Sequence, residues 1–167
     1  MPHPVKYILD ENIFIEAKRR YYAFNLCPGF WDSLLYHNSI GDLESIDRVG
    51  SSLSEGDDLD AWKKQAAGLF ASTDNETVLM AYREVNQWVQ DQERFSDFEK
   101  SRFADNVDAW VIAYAKANNA TVVTHEVSAP KSTKIKIPDV CDYFDIKCTD
   151  TFDMLQKLKV VFNWQAP

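Results

Sequence analysis

The feature that most constrains this chain is a break near its start, in "KYILDENIFIEAKRRYY" (residues 6–22). An apolar run over about residues 5–9 stops on Asp10, Glu11 and Asn12, then resumes with Ile13, Phe14 and Ile15. One strand through all of it would carry two carboxylates in mid-sheet, where unpaired charge is costly. The pattern instead predicts a buried strand over 5–9 with acids at its carboxyl end, followed by a helix from Ile13 capped by Asn12. Open α/β sheets keep their sites at that edge.

The same design recurs downstream. "ATVVTHE" (120–126) is a short β-branched strand that ends on Glu126. Before it, Val107, Trp110, Val111 and Tyr114 line one face of a helix closed by Asn118 and Asn119. Between the two strands the spacing predicts a helix over 30–36, a short one in "SIDRVGSSLSEG" stopped by Gly56, and a further piece over 95–103. Leu59, Trp62, Ala66 and Leu69, then Val78, Tyr82, Val85 and Val89, mark two amphipathic helices whose aromatics belong in a core, the helical region over 59–103 lying against the sheet as a cap. The acidic run over 42–60, whose one base is Arg48, reads mostly as a solvated face. The tail predicts a loop, a short strand over 146–148, a helix over 151–157 and a last strand in "KVVFNW". Strands alternating with helices give an α/β fold, a central, mainly parallel sheet flanked by helices, and no repeat or linker divides residues 1–167 into more than one domain.

Net charge narrows the chemistry. At −8, the chain is no generic nucleic-acid coat, so a phosphate-bearing substrate would have to be met by metal ions or local basic patches. Three cysteines without a C-x-x-C pair argue against a disulfide framework or a structural zinc site. No stretch is apolar enough for a signal peptide or a membrane span, so a cytoplasmic protein with no membrane partner is expected.

The acids at element ends are Asp10, Glu11, Asp105, Asp108 and Glu126, and Asp105 and Asp108, three apart, share a face if both are helical. Gathered carboxylates raise one another's pKa unless a cation sits among them. Hard divalent cations, Mg²⁺ or Mn²⁺, take such ligands and keep waters that serve as nucleophiles, which suggests phosphodiester hydrolysis. The bland readings are an N-cap for Asp10 with Asn12, another for Asp105, a loop acid for Glu126, an exposed loop residue for His125, and a solvated helix end for Lys18, Arg19 and Arg20. Lys131, Lys134 and Lys136 alternate with smaller residues beside Glu126, a pattern suited to tracking a phosphate backbone.

In "YILDENIF", "VDAWVIAYA" and "VVTHE" the chain resembles the PIN-domain nucleases, including the VapC-type toxins of toxin–antitoxin pairs. In that family a strand ends Asp-x-Asn, an internal helix supplies a Glu, a D-A-h-I-A helix supplies an Asp, and a strand ending T-x-D supplies the fourth acid. Here the matches are Asp10 with Asn12, Asp108, and Thr124 with Glu126 in place of Asp. The longer phrases "IEAKRRYYAFNLCPGFWDSL" and "VVTHEVSAPKSTKIKIPDVC" are similar to one bacterial PIN-like branch, which extends the resemblance over nearly the whole chain. It implies a PIN-like three-layer sandwich and a metal-dependent endoribonuclease that is the toxin of such a pair. Asp10, Asp108 and Glu126 would hold Mg²⁺ or Mn²⁺, Asn12 and Thr124 would complete the catalytic set, and Lys131, Lys134 and Lys136 would contact RNA. An antitoxin protein is the implied partner, a homodimer is admitted, and the residues leave the oligomeric state open.

One position departs from the pattern. That branch carries an acid where this chain has Ser52; Glu55 lies a helical turn further on and Glu44 upstream, and these with Asp105 are the additional acids to consider. The departure bears on metal affinity and activity, and it gives the alternative: a catalytically degenerate PIN-like domain that binds RNA or a partner protein. A receiver or haloacid-dehalogenase-like phosphatase would need an Asp-x-Asp strand end, or an acceptor Asp with a strand-end Lys. Asp10-Glu11-Asn12 offers neither.

Overall fold

A computed structural model describes residues 7–53 and 57–167. Its first strand, β1 (Tyr7–Leu9), is buried along its length. It pairs on one side with β2 (Leu43–Ile46), register Tyr7 to Leu43, and on the other with β4 (Thr121–Val123), register Tyr7 to Thr121. The two-residue strands β3 (Phe70–Ala71) and β5 (Cys148–Thr149) complete a sheet of order β3-β2-β1-β4-β5, parallel throughout. Strands covered on both faces read as unbroken apolar runs. That explains why β1 and β4 are visible in the sequence while β2, "LESI", and β3, "FA", are not.

Parallel neighbours need crossovers. From β1 the chain runs through α1 (Glu11–Glu16), a π-helical turn (Ala17–Tyr21) and α2 (Pro28–Ser39) to β2. From β2 it runs through α3 (Asp47–Ser52), α4 (Asp58–Gln65) and a 3₁₀ turn (Ala67–Leu69) to β3. It then returns through α5 (Glu76–Gln90), α6 (Asp97–Asp105) and α7 (Val107–Asn118) to β4, through α8 (Ile137–Tyr143) to β5, and ends with α9 (Thr151–Lys157). Right-handed crossovers put the first two sets on one face and the later ones on the other. On the first face Phe14, Trp31, Trp62 and Phe70 interlock, with Trp31 and Trp62 4.9 Å apart and Phe14 and Phe70 5.7 Å apart. On the second, α7 lies on β1, β2 and β4 and carries α5, α6 and α8 on its outer side. The result is the expected three-layer α/β sandwich, of the PIN-like type, with the apolar core on both faces of the sheet.

Several local expectations are corrected. Asp10, not Asn12, caps α1: the helix begins at Glu11, whose N–H donates to Asp10 Oδ1 at 2.7 Å. α2 spans twelve residues because Pro28 sits in its first turn with φ already set. α3 ends at Ser52, and Gly56 lies outside the described residues. The acidic run is no solvated face in its first half, since it contains β2, and Asp47 accepts from both the N–H and the hydroxyl of Thr73. A helix, α8, replaces part of the expected tail loop, with Ile137, Val140 and Cys141 buried. "KVVFNW" forms no strand. Lys159 at φ 58° turns the chain after α9, and Phe162 packs 5.5 Å from Tyr22 while Val161 and Trp164 stay exposed. The region over 59–103 does not form one cap: Leu59 and Trp62 enter the first-face core, whereas α5 packs chiefly on α7. Among the described residues no helix is long and apolar enough to cross a membrane.

Candidate functional site

The carboxyl ends of β1 and β4 lie side by side, and the residues that follow them bond across the gap. Thr124 is the hub. Its hydroxyl donates to Asp10 Oδ2 at 2.9 Å and accepts from Asn12 Nδ2 at 3.2 Å and from the Glu126 N–H at 3.1 Å, which uses its one donor and both lone pairs. Asn12 also accepts from the His125 N–H through Oδ1 at 3.2 Å, so it ties α1 to the β4 loop. Glu126 Oε2 accepts from the N–H of Ile137 at the start of α8 at 2.7 Å. Asp108 sits in the first turn of α7, placed there by the Asn106 cap.

Electrostatics joins these groups. Asp10 is 2% exposed, and burial, then the Asp108 charge, hold its carboxyl well above the ordinary range against the opposing pull of Thr124; Glu126 adds a smaller upward push. Asp108, 9% exposed, is pushed up to about 6, first by burial and then by Glu126, with Arg102 and Lys136 pulling the other way and Glu11 adding to the rise. Asp10, Asp108 and Glu126 are therefore one coupled acidic cluster, with two cations beside it. Burial also lowers the His125 imidazole below its ordinary value, and its Nε2 lies 3.2 Å from Thr151 Oγ1.

Among the described residues no three His, Cys, Asp or Glu side chains stand in the close geometry of a metal site. The chemistry of the donors nevertheless fits a hard divalent cation. All three are carboxylates, two are buried, Asp108 and Glu126 disfavour charge on Asp10, and Glu126 disfavours charge on Asp108, so a cation that keeps part of its water shell would relieve the repulsion.

The other sequence candidates divide. Lys136 reaches the cluster, whereas Lys131 is exposed and Lys134 lies beside Glu99. Asp105 is exposed at the end of α6 and caps nothing, since Asn106 caps α7. Glu44 points along α7 and accepts from the Tyr114 hydroxyl at 2.6 Å; burial and this carboxylate push the phenol up. Ser52 is exposed and donates to Val49 O at 2.8 Å, yet it lines an open cleft with Arg48, Asp105 and Val107 at the start of α7. Glu55 lies outside the described residues. Two residues escaped the sequence reading. Arg102 is held in a bidentate pair by the buried Glu99, at 2.7 and 3.0 Å, and Glu99 also accepts from the Ile135 N–H at 2.9 Å. An i,i+3 Glu–Arg pair one turn before Asp108's helix was the available signal, but such pairs are commonplace on solvated helices.

Fold and site together define a parallel α/β sandwich with a buried acidic cluster at the carboxyl edge of its central strands. The chain belongs to the DUF4411 family, a domain of unknown function, whose model matches residues 7–162. No curated protein and no solved structure matches it.

Proposed function

We propose that the protein is a Mg²⁺- or Mn²⁺-dependent endoribonuclease of the PIN type, acting in the cytoplasm as the toxin of a toxin–antitoxin pair. The observation that carries this reading is the coupling of buried Asp10 and Asp108 with Glu126 at the strand edge, in the order that the PIN resemblance requires. A divalent cation held by these three residues would supply Lewis acidity and charge neutralisation toward a phosphodiester. The chain's own groups set the stage. The Thr124 hydroxyl fixes the Asp10 carboxylate, Asn12 locks the β4 loop that carries Glu126, and the α8 N–H at Ile137 orients Glu126. Lys136 and Arg102 offer positive charge where an anionic backbone would approach an otherwise acidic edge.

A second reading rests on Ser52. Neither it nor Glu44 supplies a fourth acid, because a serine carries no carboxylate and Glu44 accepts from the Tyr114 hydroxyl. The domain would then bind RNA or a partner protein without cutting. The test is cleavage of RNA by purified protein with Mg²⁺, Mn²⁺ or EDTA, alongside Asp10→Asn and Asp108→Asn. Cleavage that needs metal and vanishes in both variants supports the nuclease. RNA binding without cleavage by the parent supports the degenerate domain, and cleavage that survives both substitutions removes the proposed ligands.

A further inference from the structure

Two of the three cysteines meet where α8 hands the chain to β5. α8 ends at Tyr143, and Asp145 takes a left-handed conformation at φ 55°. The Ile146 N–H then bonds back to Cys141 O at 2.8 Å and the Asp145 N–H to Asp142 O at 3.3 Å, the paired bonds of a Schellman turn. This reversal carries the chain back past the end of α8 into β5, where Cys148 stands in register with Val122 of β4. Turn and sheet pairing together bring Cys148 onto Cys141, and the Cys141 thiol donates a hydrogen bond to the Cys148 sulfur. Cys27 precedes α2, across the sheet from α8.

The two sulfurs are not equivalent. Cys141 is fully buried, whereas Cys148 is half-buried and lines two open clefts, one with Glu126, Asp150 and Asp153, the other with Lys147, Lys157 and Asp153. The shared hydrogen bond holds the Cys148 thiol below its ordinary pKa, against the opposing push of burial and the Glu126 charge. The same bond pushes Cys141 up, and burial and the charges of Cys148, Asp10 and Glu126 add to the rise. A reachable sulfur favoured as thiolate beside a buried one that keeps its proton is the arrangement of an attacking and a resolving cysteine.

We propose that Cys148 and Cys141 form a redox-active dithiol that hydrogen peroxide converts to a reversible disulfide between β5 and α8. This stands apart from the nuclease reading. The Cys148 thiolate attacks one peroxide oxygen, the O–O bond breaks, the sulfur keeps that oxygen as a sulfenic acid, and the departing hydroxide takes a proton to become water. The Cys141 sulfur then attacks the Cys148 sulfur and gives up its proton, and the expelled hydroxide leaves with that proton as a second water. Two electrons pass from the sulfur pair to the peroxide. Peroxide suits the place because it is small and neutral, so a half-buried sulfur among charges of both signs is open to it. A dithiol reductant restores both thiols by exchange through a mixed disulfide and is itself oxidised. The tie would lie in the helix whose first turn orients Glu126 through the Ile137 N–H.

The test takes the full chain, reduces it with dithiothreitol, removes the reductant and adds hydrogen peroxide in EDTA, then denatures the protein in N-ethylmaleimide for intact mass and peptide mapping. The expected product has lost two hydrogens, carries the maleimide on Cys27 alone, yields a Cys141–Cys148 cross-linked peptide, and returns to three free thiols with dithiothreitol. In Cys141→Ser, Cys148 should stop at the sulfenic acid and be trapped by dimedone. In Cys148→Ser, the rate of thiol loss should fall to that of Cys27. Glutathione disulfide in place of peroxide should leave the same internal disulfide, with no glutathione retained. The proposal is overturned if peroxide leaves all three thiols free, if Cys148 runs on to the sulfinic acid while Cys141 stays free, if a cross-link reaches Cys27, or if glutathione stays on Cys148. Those outcomes are read on the parent chain, so a Cys141 variant that failed to fold would not shelter it.

Discussion

Replacing Asp108 by Asn tests the electrostatic heart of the site. Asp108 is 9% exposed, and burial followed by the Glu126 charge raises its pKa from 3.8 to about 6. A folded-state pKa above the unfolded one means that the folded protein keeps a proton the unfolded chain has already released. Stability therefore falls as pH rises from about 4 to about 6 and levels off above that. At about 1.4 kcal/mol per pKa unit, ionised Asp108 costs the metal-free fold about 3 kcal/mol. Asparagine keeps the shape and removes the charge, and it also lifts a repulsion that Asp10 feels. In EDTA near neutral pH the variant should be more stable than the parent by up to about 3 kcal/mol, or about 6–12 °C in melting temperature for a chain of this size. Below about pH 3 the two should converge, because the parent's carboxyl is then protonated in both states. Denaturant and thermal melts across that pH range are the assay. Adding Mn²⁺ should stabilise the parent and not the variant, closing the gap from the other side. Equal stabilities at every pH would show that Asp108 is not held against its charge, and the coupled cluster would have to be abandoned.

Thr124→Val should cost about 2–4 kcal/mol, since it strips one donor from buried Asp10 and leaves the Glu126 N–H and Asn12 amide without their shared acceptor. Thr124→Ser, which restores the hydroxyl, should recover most of that in the same denaturant melts. Ser52→Glu should cost under about 1 kcal/mol without metal because the position is exposed. With Mn²⁺ it should enlarge the melting shift and raise cleavage if α3 serves the site. If neither quantity moves, the cleft beside α7 is not where a fourth ligand is needed.

The local pattern of the chain determined a good deal. Asp10, Glu11 and Asn12 had to mark a break because charge is not tolerated in mid-strand, and β1 does end there. The apolar spacing of Val107, Val111 and Tyr114 placed Asp108 on a helix, and the β-branched run before Thr124 placed Glu126 just past a strand. What pattern could not reveal is who meets whom. Periodicity reports which face of a segment is buried, and the acids' own element ends follow from it. The bond between Thr124 and Asp10 joins residues 114 apart, and it exists only because the sheet order sets β4 against β1. The same pairing made Asn12 a cross-link rather than a cap, and brought Lys136 to the cluster while leaving Lys131 in solvent. Burial, too, is a tertiary quantity. It turned Asp108 into an acid with a pKa near 6, while Asp105, three residues earlier and identical in chemistry, stayed exposed at the end of its helix.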